Sequence, residues 1–231
     1  PNTKLLPTIA EACGKVDFAP YEIPGSEKLG NIIAAKFAEG ADSVIMENHG
    51  AVMAGENILQ AFARFEALDY VARIEINAAT LSDHTNDFIS KIEYADWPFF
   101  KPRSISPREC ELRDDMANFS SRAYRQRLLF SGSAFLSARI KGDDFLITPA
   151  NFEIMNLAGS DVVRMKGGAA EAGKTPSAAT AFCRKLYQKQ DWINAIIMTR
   201  PPNAMSFAVT GTYMDSRTIP ESYIMLRDLV M

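Results

Sequence analysis

Residues 43–80 constrain the fold more than any other stretch, because an apolar run, a tight turn and a long periodic segment follow one another there without a gap. Ser43 to Met46 reads as a short buried strand and residues 51–53 as a second one, with Asn48-His49-Gly50 as the turn between them. Gly50 supplies the positive φ that a side chain would resist. From Asn57 onward Ile58, Phe62, Phe65, Leu68, Ala72 and Ile76 recur every three or four residues, the period of a helix running to about residue 80. Asn57 with Gln60 three residues on resembles a capping box and fixes its start. The apolar stripe is predicted to be core packing.

His49 is one of only two histidines in the chain and sits at the tip of this strand-turn-strand. Rigid backbone on both sides would let its ring point into a cleft; the alternative is a turn histidine bonded to a nearby carbonyl. Glu47 lies two residues away, on the same face if the strand continues, where it could ligate or shuttle a proton or simply be an exposed strand carboxylate. His84, in the polar loop Ser82-Asp83-His84-Thr85, has no second ligand nearby and reads as a surface residue.

The totals exclude several function classes. The 231 residues allow one large domain or two smaller ones, and 47% apolar against 23% charged residues is an ordinary globular composition. A net charge of −3 with no basic block argues against nucleic-acid binding or a polybasic membrane anchor. No apolar run approaches the roughly 18–20 residues of a membrane helix, and the N-terminus has no signal-peptide pattern. Cys13, Cys110 and Cys183 are odd in number and far apart, which fits packing residues in a reducing, cytoplasmic compartment. A chain that begins on Pro1 and ends on Leu229-Val230-Met231 reads as a piece of something longer.

Around the central stretch, residues 5–13 predict a short helix closed by Gly14 and residues 16–18 a short edge strand. Ser26 is the expected N-cap of a helix with Leu29, Ile32, Ile33 and Phe37 on one face, ended by Glu39-Gly40. Residues 82–112 carry three prolines and five aromatics without periodicity, and are the best linker candidate. Beyond it the pattern predicts a helix over 114–128, strands near 133–140 and 144–148 joined by Lys141-Gly142-Asp143, a strand at 162–165 and a Gly167-Gly168 turn. A helix opens at Pro176-Ser177 and runs to about residue 188, and Ala195-Ile196-Ile197-Met198 is a buried strand stopped by Pro201-Pro202. Strands and helices mixed in this way predict an α/β sandwich with a mostly antiparallel or mixed sheet.

Three stretches together are more specific than any alone. Tyr21-Glu22-Ile23-Pro24-Gly25-Ser26, the Glu47–Glu56 stretch and the following helix with Ala61-Phe62 and Glu66-Ala67-Leu68 resemble the C-terminal half of the class II aldolase/adducin family. Phe145-Leu146-Ile147-Thr148-Pro149-Ala150, Thr175-Pro176-Ser177 and Met198-Thr199-Arg200-Pro201-Pro202-Asn203-Ala204 resemble segments of its N-terminal half. The halves stand in inverted order, as in a fragment of a tandem protein: residues 1–81 close a first unit, 82–112 link, and 113–231 open a second. The resemblance implies a three-layer αβα sandwich.

The resemblance also implies a divalent metal, usually zinc, held by three histidines, two in a His-x-His segment and one in the Asn-His-Gly turn, with a nearby glutamate as acid/base. Such a metal polarises the oxygens of a ketose phosphate so that an enediolate can form as the carbon–carbon bond breaks. His49 matches the third ligand. Met198-Thr199-Arg200 stands in place of the His-x-His pair, Ala179 in place of the glutamate, and Ser131-Gly132-Ser133-Ala134-Phe135 in place of a glycine-rich phosphate loop. Ser131, Ser133 and Ser177 are candidate anion-binding residues, or ordinary helix caps. The second unit is expected to be catalytically degenerate, with metal binding by these 231 residues weak or absent.

Two functions follow as expectations. One is a lyase acting on a small phosphorylated ketose or related sugar, homo-oligomeric, with neither nucleic acid nor membrane as partner. The other is a non-catalytic, adducin-like protein working in assembly or partner binding. The inverted order further suggests that the two halves close as one permuted domain with their strands in a single sheet.

Overall fold

The computed structural model describes residues 1–86, 95–130, 134–150 and 152–227. In chain order these form α1 (Pro7–Cys13), β1 (Val16–Ala19), α2 (Glu27–Ala38), β2 (Ser43–Met46), β3 (Gly50–Met53), α3 (Ile58–Ala78), β4 (Phe99–Phe100), α4 (Pro107–Arg125), β5 (Phe135–Lys141), β6 (Asp144–Ile147), β7 (Val163–Lys166), β8 (Ala169–Glu171), α5 (Thr180–Lys189), β9 (Ala195–Met198), α6 (Pro202–Thr210) and α7 (Pro220–Leu226). The chain divides into two compact units, Pro1–Ser90 with Pro201–Met231, and Lys91–Arg200. The architecture is mixed α/β, with helices on mixed sheets.

The first unit holds a three-stranded sheet, β1-β2-β3. β1 runs parallel to β2, with Ala19 opposite Met46, and β2 turns back antiparallel into β3, with Met46 opposite Gly50. One face is covered by α2, whose Leu29, Ile32, Ile33 and Phe37 pack on Ala19, Val44, Met46 and Val52. Ser26 caps α2 as expected, its Oγ accepting the Leu29 N–H at 3.1 Å. α3 starts where the sequence places it: Asn57 Oδ1 accepts the Gln60 N–H at 2.9 Å, while Gln60 Oε1 reaches back one residue further, to the Glu56 N–H.

The buried face of α3 differs from the expected one. Ala67, Leu68, Tyr70, Val71, Ile74 and Ala78 are buried, whereas Ile58, Phe62, Phe65 and Ile76 are exposed. The helix is apolar on two opposite sides and, with Ala67, Tyr70, Val71, Ile74 and Ala78 on its core side, packs with α1 and α6. α6 was not expected, because Pro201-Pro202 reads as a stop; Pro202 instead occupies the first helical turn, where its missing N–H is no loss. Ser206 Oγ donates to the Ile74 carbonyl at 3.2 Å, joining α6 to α3.

The second unit holds a six-stranded sheet in the order β4-β8-β7-β6-β5-β9, antiparallel except for the β4–β8 pair. No ladder joins the two sheets among the described residues, so the strands of the two halves do not share one sheet as the permuted arrangement required. Part of the expected linker is structured: β4 pairs with β8, and α4 begins at Pro107, capped by Ser106 Oγ accepting the Glu109 N–H at 3.1 Å. β9, expected to be buried, is the last strand of the sheet, with Ile197 exposed. One face of the sheet packs Phe135, Phe145, Ile147, Val163 and Met165 against Cys183 and Tyr187 of α5.

The α4 side of the second unit carries a charge network. Glu109 is fully buried and accepts from Arg113 Nε at 3.0 Å, Arg113 Nη2 at 2.7 Å and Arg164 Nη1 at 2.7 Å. Arg113 also reaches Glu171 Oε2 at 2.8 Å, Arg164 reaches Asp144 Oδ1 at 2.8 Å, and Lys174 pairs with Glu171 at 2.8 Å. Three cations meet three carboxylates, so the cluster enters the interior neutral. Burial works to raise the Glu171 carboxyl, but Lys174 and Arg113 outweigh it and hold it below the usual carboxylate range.

Candidate functional site

The carboxyl ends of the parallel strands β1 and β2 lie side by side, and the chain leaves both into loops that meet. The Glu47 N–H donates to the Ala19 carbonyl at 2.9 Å, and Glu47 Oε2 accepts the Tyr21 N–H at 2.9 Å. One residue thus ties the hairpin turn to the 20–25 loop by both backbone and side chain. That loop closes on itself through the Ser26 N–H to the Ile23 carbonyl at 3.1 Å and leads into the start of α2. Glu22, in the same loop, is paired with Lys28 on the first turns of α2, and this ammonium lowers its carboxyl pKa.

The turn itself is Glu47-Asn48-His49, one residue earlier than the sequence suggests, since Gly50 already pairs with Met46. Asn48 takes φ +54°, which asparagine tolerates better than most side chains, and Gly50 takes φ +149°. The His49 N–H donates to the Met46 carbonyl at 3.2 Å and closes the turn. The His49 ring is exposed on this braced tip. Glu47 is therefore not an alternating strand residue beside His49: both belong to the turn, and the Glu47 carboxylate is engaged by the Tyr21 amide.

Ser177 lies in the second unit, ahead of α5 rather than inside its first turn. Its N–H donates to the Thr148 carbonyl at 3.1 Å, its Oγ accepts the Ala179 N–H at 3.3 Å, and its carbonyl accepts the Thr180 N–H at 3.0 Å. Ala179 occupies the cap position of α5 without a side-chain bond. Ser131 and Ser133 lie outside the described residues. Phe135 is buried, opposite Met198 in the β5–β9 ladder, and meets the Phe182 ring edge-on at 6.2 Å. Met198 packs on the apolar core of the second unit, so the position matching the first histidine of a His-x-His pair is part of that core.

The donor set does not fit a three-imidazole zinc centre. Among the described residues no group of three or more His, Cys, Asp or Glu side chains could hold a metal ion, and His49 is a single exposed imidazole. The two buried thiols are poor candidates: burial pushes Cys13 up to about 11 and Cys183 up to about 12, against the thiolate that metal binding needs. The brace between Glu47 and Tyr21 had no signal in the sequence beyond the closeness of both segments to proline and glycine. No described helix is long and apolar enough to cross a membrane.

A 3-oxo-tetronate 4-phosphate decarboxylase from Pectobacterium atrosepticum is 34% identical over 68 residues, which is 29% of this chain and 31% of that protein. The chain thus spans about a third of that curated relative's length. Among solved structures, YgbL from Escherichia coli overlaps 39% of this chain and 44% of its own at 24% identity and a TM-score of 0.37. An L-fuculose 1-phosphate aldolase from Glaciozyma antarctica PI12 overlaps 44% and 45% at 14% identity and a TM-score of 0.36. The family model for the class II aldolase and adducin N-terminal domain matches residues 2–76 and 114–227, more than half of the sequence, and the chain therefore belongs to the class II aldolase and adducin family.

Proposed function

We propose that the first unit supplies one imidazole, His49, to a class II aldolase-type lyase centre, and that its remaining donors and its proton-transferring carboxylate come from polypeptide other than these 231 residues. The substrate class is a small phosphorylated ketose or related sugar acid, in line with the decarboxylase relative, whose name specifies a phosphorylated 3-oxo acid. The second unit is a degenerate aldolase unit that keeps the family's strands and core but not its ligands. The observation that carries this reading is the braced turn: a histidine exposed at the carboxyl ends of two parallel strands, held by the Met46 carbonyl on one side and the Glu47–Tyr21 bond on the other. Strand carboxyl ends are where α/β folds place ligands.

The test is carbon–carbon cleavage by the gene product that contains residues 1–231. His49→Ala is expected to lower kcat/KM by at least the roughly 10–100-fold that loss of a group merely supporting a metal ligand costs, while Thr199→Ala in the second unit leaves it within about twofold. Full activity in His49→Ala, or its loss in Thr199→Ala, contradicts the assignment.

A further inference from the structure

Residues 20–25 leave the sheet through Pro20, which has no N–H, so the first donor this loop can offer the hairpin is the Tyr21 amide. Glu47 takes it: its Oε2 accepts the Tyr21 N–H at 2.9 Å, while its own N–H donates to the Ala19 carbonyl at 2.9 Å. The other polar contacts of the loop stay within it or run to the start of α2. The Ile23 N–H donates to Glu22 Oε1 at 3.2 Å, the Ser26 N–H to the Ile23 carbonyl at 3.1 Å, and Glu22 pairs with Lys28. Among the described residues, the Glu47 carboxylate is therefore the one hydrogen-bonded link from residues 20–25 to the turn that carries His49. Glu47 and Asn48 are also the two central residues of that turn, which the His49 N–H closes on the Met46 carbonyl at 3.2 Å. A displacement of Glu47 is thus carried to His49, two residues on.

We infer that Glu47 is a positioning residue for His49: its carboxylate clamps the 20–25 loop to the turn, so that the exposed imidazole and the loop beside it form one fixed rim at the carboxyl ends of β1 and β2. This inference rests on the proposed lyase role of His49 and gives Glu47 a part other than proton transfer. A group at a turn tip needs such a brace, because reacting groups must be held within about 0.5 Å of the productive geometry and loops hold them less well than helices or strands. A misplacement of about 1 Å can cost on the order of 100-fold in rate. A carboxylate suits the task as a strong acceptor for a backbone amide. A carboxamide keeps the same acceptor oxygen but cannot carry a proton between groups, so Glu47→Gln separates a clamp from an acid/base.

Amide hydrogen exchange of the 231-residue chain reads the clamp, and carbon–carbon cleavage by the gene product that contains it reads the consequence. Glu47→Ala should speed exchange of the Tyr21 amide by about tenfold and leave the Val44 and Val52 amides of the hairpin unchanged, whereas Glu47→Gln should keep the Tyr21 protection. In cleavage, Glu47→Ala should lower kcat by about tenfold or more with KM within about threefold, and Glu47→Gln should recover most of that loss. Glu47→Gln as impaired as Glu47→Ala would make the carboxyl group a proton carrier, and a loss in KM alone would place it in substrate binding. Either result overturns the inference, as does a Tyr21 amide that exchanges at the parent rate in Glu47→Ala, or full activity in Glu47→Ala beside an inactive His49→Ala. Full activity in His49→Ala overturns the lyase reading instead, and the exchange measurement, made without substrate, still reports on the clamp by itself.

Discussion

Glu109→Ala should destabilise the second unit by about 3–5 kcal/mol, the largest single-residue effect the structure implies. Glu109 is fully buried and is the acceptor shared by Arg113 and Arg164, so its removal leaves two guanidinium groups facing each other with one carboxylate fewer between them. Arg113 keeps Glu171 and two backbone carbonyls, and Arg164 keeps Asp144, but three cations then face two carboxylates. Glu109→Gln retains an acceptor and should cost less, about 2 kcal/mol. Denaturant unfolding followed by the circular dichroism of the whole chain reads both. A loss under about 1 kcal/mol for Glu109→Ala would mean that the network is not closed as described.

The same cluster sets an acid limit. Glu171 has its pKa depressed in the folded state, so its contribution is present above the ordinary carboxylate value and is lost as pH falls through the lower, folded one. Stability should therefore decline on acidification below the usual range for glutamate, and Glu171→Gln should flatten that decline.

Gly14→Ala comes second, at about 2–4 kcal/mol. Gly14 joins α1 to β1 with φ +62° and ψ −150°, a combination that only glycine adopts readily. A Cβ there would stand 2.1 Å from Asp42 Oδ2 and 2.9 Å from Asp42 Cβ, so the whole side chain must move. Asp42 is the anchor at the far end of the hairpin from His49. Its carboxylate accepts the Lys15 N–H at 2.9 Å and holds Arg64 of α3, and its carbonyl accepts the Ala54 N–H at 3.0 Å. The comparison that isolates the clash is Gly14→Ala made in an Asp42→Ala background, where it should cost less by about 1 kcal/mol or more. Equal costs in both backgrounds would leave backbone strain as the sole cause.

The parts of the fold that were legible in the sequence are those decided locally. The β2–β3 hairpin announces itself by an apolar run, a turn tripeptide and a second run, and the Ser26 and Asn57 caps by one side chain each. The existence of α3 was equally plain, yet its buried face was not. Periodicity finds an apolar stripe, and a helix with two of them gives no sign of which one the rest of the chain will cover. β8 is three residues of Ala-Ala-Glu, without β-branched or aromatic content, and is made a strand only by its ladders to β4 and β7. Glu109 and Arg113 are four residues apart on α4, but the charged partners that complete their network, Arg164 and Glu171, stand 55 and 58 residues on, beyond the reach of any local pattern.

The candidate site was legible only in part, for the same reason. His49 and its turn came from neighbouring residues, whereas the brace from Glu47 to Tyr21 joins positions 26 apart and depends on β1 lying parallel to β2. Alternation along a strand, which suggested a catalytic Glu47 beside His49, fails because the strand has already ended at Met46.

Metal content is the most direct measure of the central claim, that His49 is a single donor whose companions lie elsewhere. The purified 231-residue chain, incubated with zinc and desalted, should retain no stoichiometric metal, and His49→Ala should not change the result. One zinc bound per chain and lost in His49→Ala would show a complete site within these residues and contradict the account.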